Sequence, residues 1–287
     1  MVKKVQEKSV SDALRVRPGG PAHVADFDPR ATPGFPGKGK ADAPAAMTAM
    51  SAELSDLQER LYAAGRDNPD APKVLLLLQG LDTAGKGGVI RHAVGLVDPQ
   101  GILIKAFKVP TEEERSHHYL WRIRNALPTA GMIGIFDRSH YEDVLVVRVD
   151  GHIDDAEVTK RFAEINEFEA ELAASGTTLI KCFLNVSRDE QQQRLLDRLS
   201  DPEKYWKYNP GDVDTRTKWE AYMQAYDDVL SHTSTDVAPW HVIPADRKWY
   251  RNWAVAQLML EHLRALDLGW PAADFDVEAE IARVKAS

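Results

Sequence analysis

The residues best suited to chemistry lie in Gln79-Gly80-Leu81-Asp82-Thr83-Ala84-Gly85-Lys86-Gly87-Gly88. This stretch follows the apolar run Val74 to Leu78 and precedes Val89, Ile90, Ala93, Val94 and Val97, which are spaced as one face of a helix. Strand, glycine-rich turn, lysine and helix together offer backbone N–H groups to a phosphate. Gly80 and Gly85-Lys86 fit the P-loop spacing G-x-x-x-x-G-K, so Gly80, Thr83, Ala84, Gly85, Gly87 and Gly88 are the candidate cradle. Gly87 stands where such loops carry the Ser or Thr that holds Mg²⁺. Asp82, inside the loop, is the candidate substitute, because a hard cation such as Mg²⁺, or Mn²⁺ in its place, prefers carboxylate oxygen.

A second carboxylate is placed for the same task. Met132 to Phe136 is apolar and runs into Asp137-Arg138-Ser139, a strand ending in Asp at the edge where open α/β sheets bind ligands. Asp82 and Asp137 would then hold Mg²⁺ against phosphate oxygens, while Lys86 and Arg138 neutralise the transferring group. Arg194, Arg198, Lys204 and Lys207 form a basic cluster placed like the lid of a small kinase. Phosphoryl transfer needs positioning, metal and cations, and an acceptor that is itself a phosphate needs no dedicated base. His117, His118 and His140 have no metal-ligand spacing and read as hydrogen-bonding residues.

These groups need a scaffold, and the pattern supplies one. Strands are expected at 74–78, 102–107, 132–136, 178–184 and 240–243, alternating with helices at about 45–66, 111–127, 155–174, 187–198, 214–231 and 249–263. Thr111-Glu112-Glu113-Glu114 and Ser187-Arg188-Asp189-Glu190 are capping boxes. Arg115, His118 and Arg122 share one side of the second helix, either as a solvated face or as a phosphate-facing stripe. The stripe Trp249, Trp253, Ala256, Leu260 and Leu263 reads as core packing. Such alternation predicts an α/β fold, a parallel sheet of about five strands covered on both faces. Residues 1–45, rich in Pro and Gly, read as an extension tied down through Phe27 or Phe35. Residues 46–270 read as the catalytic domain with a lid at about 194–215, and 271–287 as a tail.

The balance of 36 Lys+Arg against 44 Asp+Glu, a net charge of −8, argues against bulk nucleic-acid binding. The single cysteine, Cys182, lies in the mostly apolar run 178–184 and reads as a small core residue, consistent with a reducing compartment. The start, Met1 to Val10, lacks the apolar core of a signal peptide, and no stretch approaches the ~20 apolar residues of a membrane helix. A soluble, cytoplasmic protein with no membrane partner is expected.

Gly80-Leu81-Asp82-Thr83-Ala84-Gly85-Lys86-Gly87-Gly88, Phe136-Asp137-Arg138-Ser139-His140-Tyr141-Glu142-Asp143-Val144, Asp201-Pro202-Glu203-Lys204 with Trp206-Lys207, and Ser234-Thr235-Asp236-Val237-Ala238-Pro239-Trp240 together resemble polyphosphate kinase family 2. The resemblance runs from about Phe27 to Leu266. It implies a thymidylate-kinase-like P-loop fold and Mg²⁺-dependent transfer of the terminal phosphoryl of inorganic polyphosphate to a nucleotide. By the same resemblance Asp82 and Asp137 organise metal, Lys86 is the Walker-A lysine, and Arg138 and Arg198 clamp phosphate. Gly87 is then an expected departure from ordinary P-loops. Ser139 to Asp143 resembles the subclass acting on both AMP and ADP, which makes Glu142 the position to suspect in acceptor choice. The family also suggests a homo-oligomer, dimer or tetramer. A polyanion on a chain of net −8 requires a locally basic groove, for which Lys105, Lys108, Arg115, Arg122 and Arg124 are candidates. An ATP-dependent nucleoside monophosphate kinase and a non-catalytic polyphosphate or nucleotide sensor are the competing readings.

Overall fold

The computed structural model describes residues 9–287; the charged start up to Lys8 lies outside the described residues. Its helices and strands run α1 (Val10–Leu14), α2 (Ala43–Ala64), β1 (Lys73–Gln79), α3 (Lys86–His92), β2 (Ile102–Ala106), α4 (Glu112–Ser116), α5 (Trp121–Arg124) and β3 (Ile133–Asp137). They continue as α6 (Val146–Val149), α7 (Asp155–Ala174), β4 (Thr177–Asn185), α8 (Arg188–Leu199), α9 (Gly211–Thr217), α10 (Trp219–Thr233), β5 (Trp240–Pro244), α11 (Lys248–Ala265) and α12 (Val277–Ala286). The five strands form one parallel sheet in the order β2-β3-β1-β4-β5.

The central position of β1 explains its composition. Leu75, Leu76, Leu77 and Leu78 are fully buried because helices cover both faces, so the strand shows no polar alternation. Each such leucine contributes roughly 1.5–3 kcal/mol through removal from water. On one face Leu76 and Leu78 pack with Leu54 and Leu61 of α2 and Trp253, Ala256 and Leu260 of α11. On the other, Leu75 and Leu77 meet Ile123, Phe136, Phe168 and Leu172. The aromatic stripe of α11 is core packing, as its periodicity indicates.

The chain passes from β1 to the edge strand β2 and back to β3 before crossing to β4 on the far side. This reversal opens a crevice beyond the C-terminal ends of the central strands, where doubly wound sheets take ligands. The register pairs Leu78 with Asp137 and Gln79 with Phe183, so the loop after β1 and the end of β3 are adjacent.

Three elements differ from the sequence-based expectation. The helix expected over 111–127 is two short ones. Thr111 closes its capping box with Glu114, but His117 turns extended and stacks on Trp121 at 4.3 Å. The break turns Arg122 inward, against Asp143 at 3.6 Å, Glu114 at 3.8 Å and the Lys108 carbonyl at 2.9 Å, so it belongs neither to a solvated face nor to a free phosphate-facing stripe. The helix expected over 214–231 is divided at Lys218 into α9 and α10. The proline-rich start contributes to the core: Val10 and Leu14 are buried, Val16 N–H donates to the Trp240 carbonyl, and Phe35 packs edge-on against Trp249 and Trp253. Apolar residues are sparse there, but they are used: Val10, Leu14 and Phe35 join the cluster of α11, and Ala22, Val24 and Phe27 join that of α10. Among the described residues no helix is long and apolar enough to cross a membrane.

Candidate active site

Backbone geometry shapes the phosphate loop first. Gly80 and Gly85 have φ of 151° and 112°, and Thr83 and Arg138 both sit at 65°, a conformation uncommon for residues with a side chain. Thr83 lies in the loop and Arg138 just after β3, both at the C-terminal edge of the sheet, where backbone strain is usually tolerated for function. Lys86, in the first turn of α3, is buried and folds back to donate to the Gly80 carbonyl at 2.8 Å.

The end of β3 then meets the loop. Arg138 N–H donates to the Leu78 carbonyl, and its guanidinium donates to Asp82 Oδ1 at 2.7 Å and Glu142 Oε2 at 3.0 Å. Burial works against the charge of Arg138, but Glu142 and Asp82 outweigh it and hold its pKa above the ordinary arginine value. Burial pushes the Glu142 carboxyl up, opposed by Arg138 and Lys86 and by a hydrogen bond from Gln79. With its amide oriented to satisfy both partners, Gln79 donates to Glu142 Oε1 at 3.0 Å and accepts from Ser139 N–H at 3.1 Å. A cavity of ≈ 310 Å³ opens here. Gly80, Asp82, Arg138 and Glu142 form its polar end, Leu145, Val146, Tyr222 and Tyr226 its apolar walls, and the Asp150–Lys218 pair (2.6 Å) lies at its border.

Beside this cavity Asp137 keeps one carboxylate oxygen buried with no hydrogen-bond partner, and the Thr83 hydroxyl is in the same condition. An orphaned buried carboxylate oxygen next to a phosphate loop fits a cation ligand. Among the described residues no group of three or more His, Cys, Asp or Glu side chains is arranged to hold a metal. The two aspartates would therefore leave most of a cation's coordination to phosphate oxygen and water, as Mg²⁺ prefers.

The lid residues divide. Arg194 is buried behind the loop, with every guanidinium nitrogen engaged: it donates to Glu190 and to the carbonyls of Thr83, Ala84, Ala245 and Asp246. It braces the cradle and does not face the cavity. Because Glu190 turns to Arg194, the second capping box keeps only its Ser187 half. Arg198 donates to the Lys207 carbonyl at 2.7 Å and to Asp212 at 3.3 Å. Asp212 is raised to about 6, by burial and the charge of Asp82, against the pull of Arg198. Lys204 is exposed and paired with Asp201. His140 is buried and its Nε2–H donates to Glu169, while His117, stacked on Trp121, and His118, 3.4 Å from Glu164, lie away from the loop.

Residues 38–268 match the family profile described as Polyphosphate kinase 2 (PPK2). The chain belongs to the polyphosphate kinase 2 family. The chain is 46% identical over 257 residues to the AMP/ADP-polyphosphate phosphotransferase of Meiothermus ruber, covering 90% of this chain and 94% of the relative. It is 41% identical over 230 residues to the ADP-polyphosphate phosphotransferase of Rhodopseudomonas palustris, covering 76% and 78%. Its fold superposes on the crystal structure of Polyphosphate Kinase 2 from Arthrobacter aurescens TC1 with a TM-score of 0.93, at 52% identity and 98% coverage of each chain. The three-layer P-loop kinase fold with a five-stranded parallel sheet is that of the family.

Sequence reasoning placed Gln79 in the loop stretch without a role and missed Asp212, the tyrosines of α10 and Arg251. Tyr222 and Tyr226 lie on a helix whose i, i+4 spacing announces burial but not a cavity wall. Arg251 lies on α11 between the stripe positions Trp249 and Trp253, off the stripe, and gives no local signal at all.

Proposed function

We propose that this enzyme transfers the terminal phosphoryl group of inorganic polyphosphate to AMP and to ADP, giving ADP and ATP, with Mg²⁺ as its cation. The observation that carries the reading is the shared border of two compartments, the phosphate loop around Lys86 and the cavity whose polar end is Asp82, Arg138 and Glu142. The loop takes the donor's terminal phosphates. The cavity takes the acceptor nucleotide, with its phosphate toward Arg138 and its base between Val146 and the α10 tyrosines. Transfer between adjacent compartments is an in-line displacement, and its demands are positioning and charge neutralisation. Lys86 and Arg138 bracket the group in flight. Arg198 joins them by exchanging Asp212 for phosphate oxygen. A phosphate acceptor is already anionic near neutral pH, so Asp82 and Asp137 are free to act as cation ligands. Mg²⁺ held by Asp137 and Asp82 supplies neutralisation of phosphate oxygens that protein cations do not reach.

The same reading implies a cytoplasmic enzyme and a homo-oligomer. Leu103 and Ile104 on the edge strand β2 and Val277, Ile281 and Val284 on α12 are exposed and available to a second copy. Sedimentation at micromolar concentration decides between monomer and assembly.

The deciding experiment combines purified protein, Mg²⁺ and long-chain polyphosphate with AMP or ADP in separate reactions, and no added ATP. ADP from AMP together with ATP from ADP supports the reading. Product from one acceptor only narrows it, and activity that appears only with ATP as donor replaces it with a nucleoside monophosphate kinase.

A further inference from the structure

Two arginines from different helices meet behind the phosphate loop. Arg194 of α8 and Arg251 of α11 both donate to the Ala84 carbonyl, at 3.1 Å and 3.0 Å. Their counter-charges differ. Arg194 holds Glu190 at 2.8 Å, whereas Arg251, 3% exposed, makes no ion pair among the described residues and otherwise donates only to the side chain of Asn252. Burial and the neighbouring Arg194 lower Arg251 to about 9, so it is still charged at neutral pH. A buried cation without a carboxylate is unfavourable unless something else answers it.

The loop is built around this side chain. A Cβ at Gly85 would lie 1.8 Å from Arg251 Nη1, and one at Gly88 would lie 2.5 Å from Nη2. Gly85 also needs its positive φ, whereas a Cβ at 88 would meet only the guanidinium tip of Arg251 and, more distantly, the Asn252 side chain. The Ala84–Gly85 peptide is planar and trans, so a carbonyl drawn toward both guanidiniums directs the Gly85 N–H away from them.

We propose that Arg251 is a positioning residue for the phosphoryl donor: it fixes the Ala84–Gly85 peptide so that Gly85 N–H faces the phosphate, and its unpaired charge is answered by the polyanion held in the loop. This rests on the assignment of the donor to the loop. A purely structural arginine would stabilise the protein whether or not donor is present. A donor-positioning arginine carries its cost in the free protein and repays it on binding.

The test compares wild type with Arg251→Gln and Arg251→Lys, measuring KM separately for donor and acceptor and melting temperature with and without polyphosphate. Arg251→Gln is expected to raise the donor KM by about tenfold or more while the acceptor KM stays within about twofold. Its melting temperature without polyphosphate should stay level or rise, and the increase caused by polyphosphate should shrink. Arg251→Lys, which keeps the charge but not the fork, should restore part of the donor affinity. A variant that melts lower without polyphosphate and shows an unchanged donor KM, or equal changes in both KM values, overturns the proposal. If Arg251→Gln does not fold, Arg251→Lys decides, since it keeps the charge and loses the fork: a raised donor KM with an unchanged acceptor KM supports the proposal, and an unchanged donor KM sinks it. Should wild type use ATP and not polyphosphate, the functional reading fails, yet the donor KM measured with ATP still tests Arg251.

Discussion

Arg138 Nη2 lies 2.7 Å from Asp82 Oδ1, joining the residue after the last position of β3 to the middle of the phosphate loop. The pair lets one arginine report on both halves of the site. Any cation or phosphate that engages Asp82 or Arg138 must share or replace this bond, so under the proposed function loading of donor and of acceptor would be coupled through it.

Asp137 has a buried oxygen with no partner, which makes it a test of function separable from stability. Asp137→Asn keeps the shape and removes the charge. Turnover with saturating Mg²⁺ should fall by about 10²–10³-fold, the range for loss of a transition-state electrostatic contact. The melting temperature should not fall by more than about 2 °C. Near-full turnover would remove Asp137 from cation binding.

Glu142 adds negative charge at the polar end of the cavity, 3.0 Å from Arg138. ADP brings more negative charge than AMP, so this carboxylate penalises ADP more. Glu142→Asn should therefore lower the ratio of kcat/KM for AMP to that for ADP by at least about threefold. Initial rates with each acceptor under polyphosphate give the ratio, and an unchanged value excludes Glu142 from acceptor choice.

Beneath the site lies a fully buried cluster. Lys181 donates to Glu169 at 2.6 Å, to the Tyr141 hydroxyl at 2.9 Å and to the Thr233 carbonyl at 2.7 Å. Burial opposes the charge of Glu169, but Lys181 and His140 hold its carboxyl below the usual range. Lys181→Met leaves Glu169 buried without its cation and should cost about 3–5 kcal/mol in urea unfolding. Adding Glu169→Leu should recover only part of that loss, because it removes the unpaired carboxylate but leaves the Tyr141 hydroxyl and His140 without their acceptor. A double variant as unstable as the single one would contradict this account.

Asp212 titrates higher in the folded protein, at about 6, than its usual 3.8. The sign follows: a folded-state pKa raised above the unfolded value adds stability that is complete below about 3.8 and is lost as pH rises through about 6. Asp212→Asn removes this dependence. Its melting temperature relative to wild type should rise between pH 4 and pH 7, and a difference that stays flat across that range would refute the assignment.

Much of the fold was legible because it rests on local rules. The leucines of β1, the alternation of strands with helices and the helix starts at Thr111 and Ser187 are patterns over a few residues. The loop from Gly80 to Gly88 and Asp137 could be paired in advance, since an apolar strand ending in Asp has one place beside a P-loop strand in such a sheet. The sequence could also name Arg194, Arg198 and Lys204 as cations near the site.

What it could not assign was their direction. Arg194 braces the loop from behind, Arg198 reaches Asp212 and Lys204 faces solvent, although all three lie within eleven residues on and after one helix. Direction depends on which partner the fold brings within about 3 Å, and for Arg194 the carbonyls that decide it come from the distant phosphate loop and the end of β5. Arg251 is the clearest case: 166 residues after Gly85 in the chain, it fills the space beside Gly85 and Gly88 and donates to the Ala84 carbonyl, and only the packing of α11 against α3 brings them together.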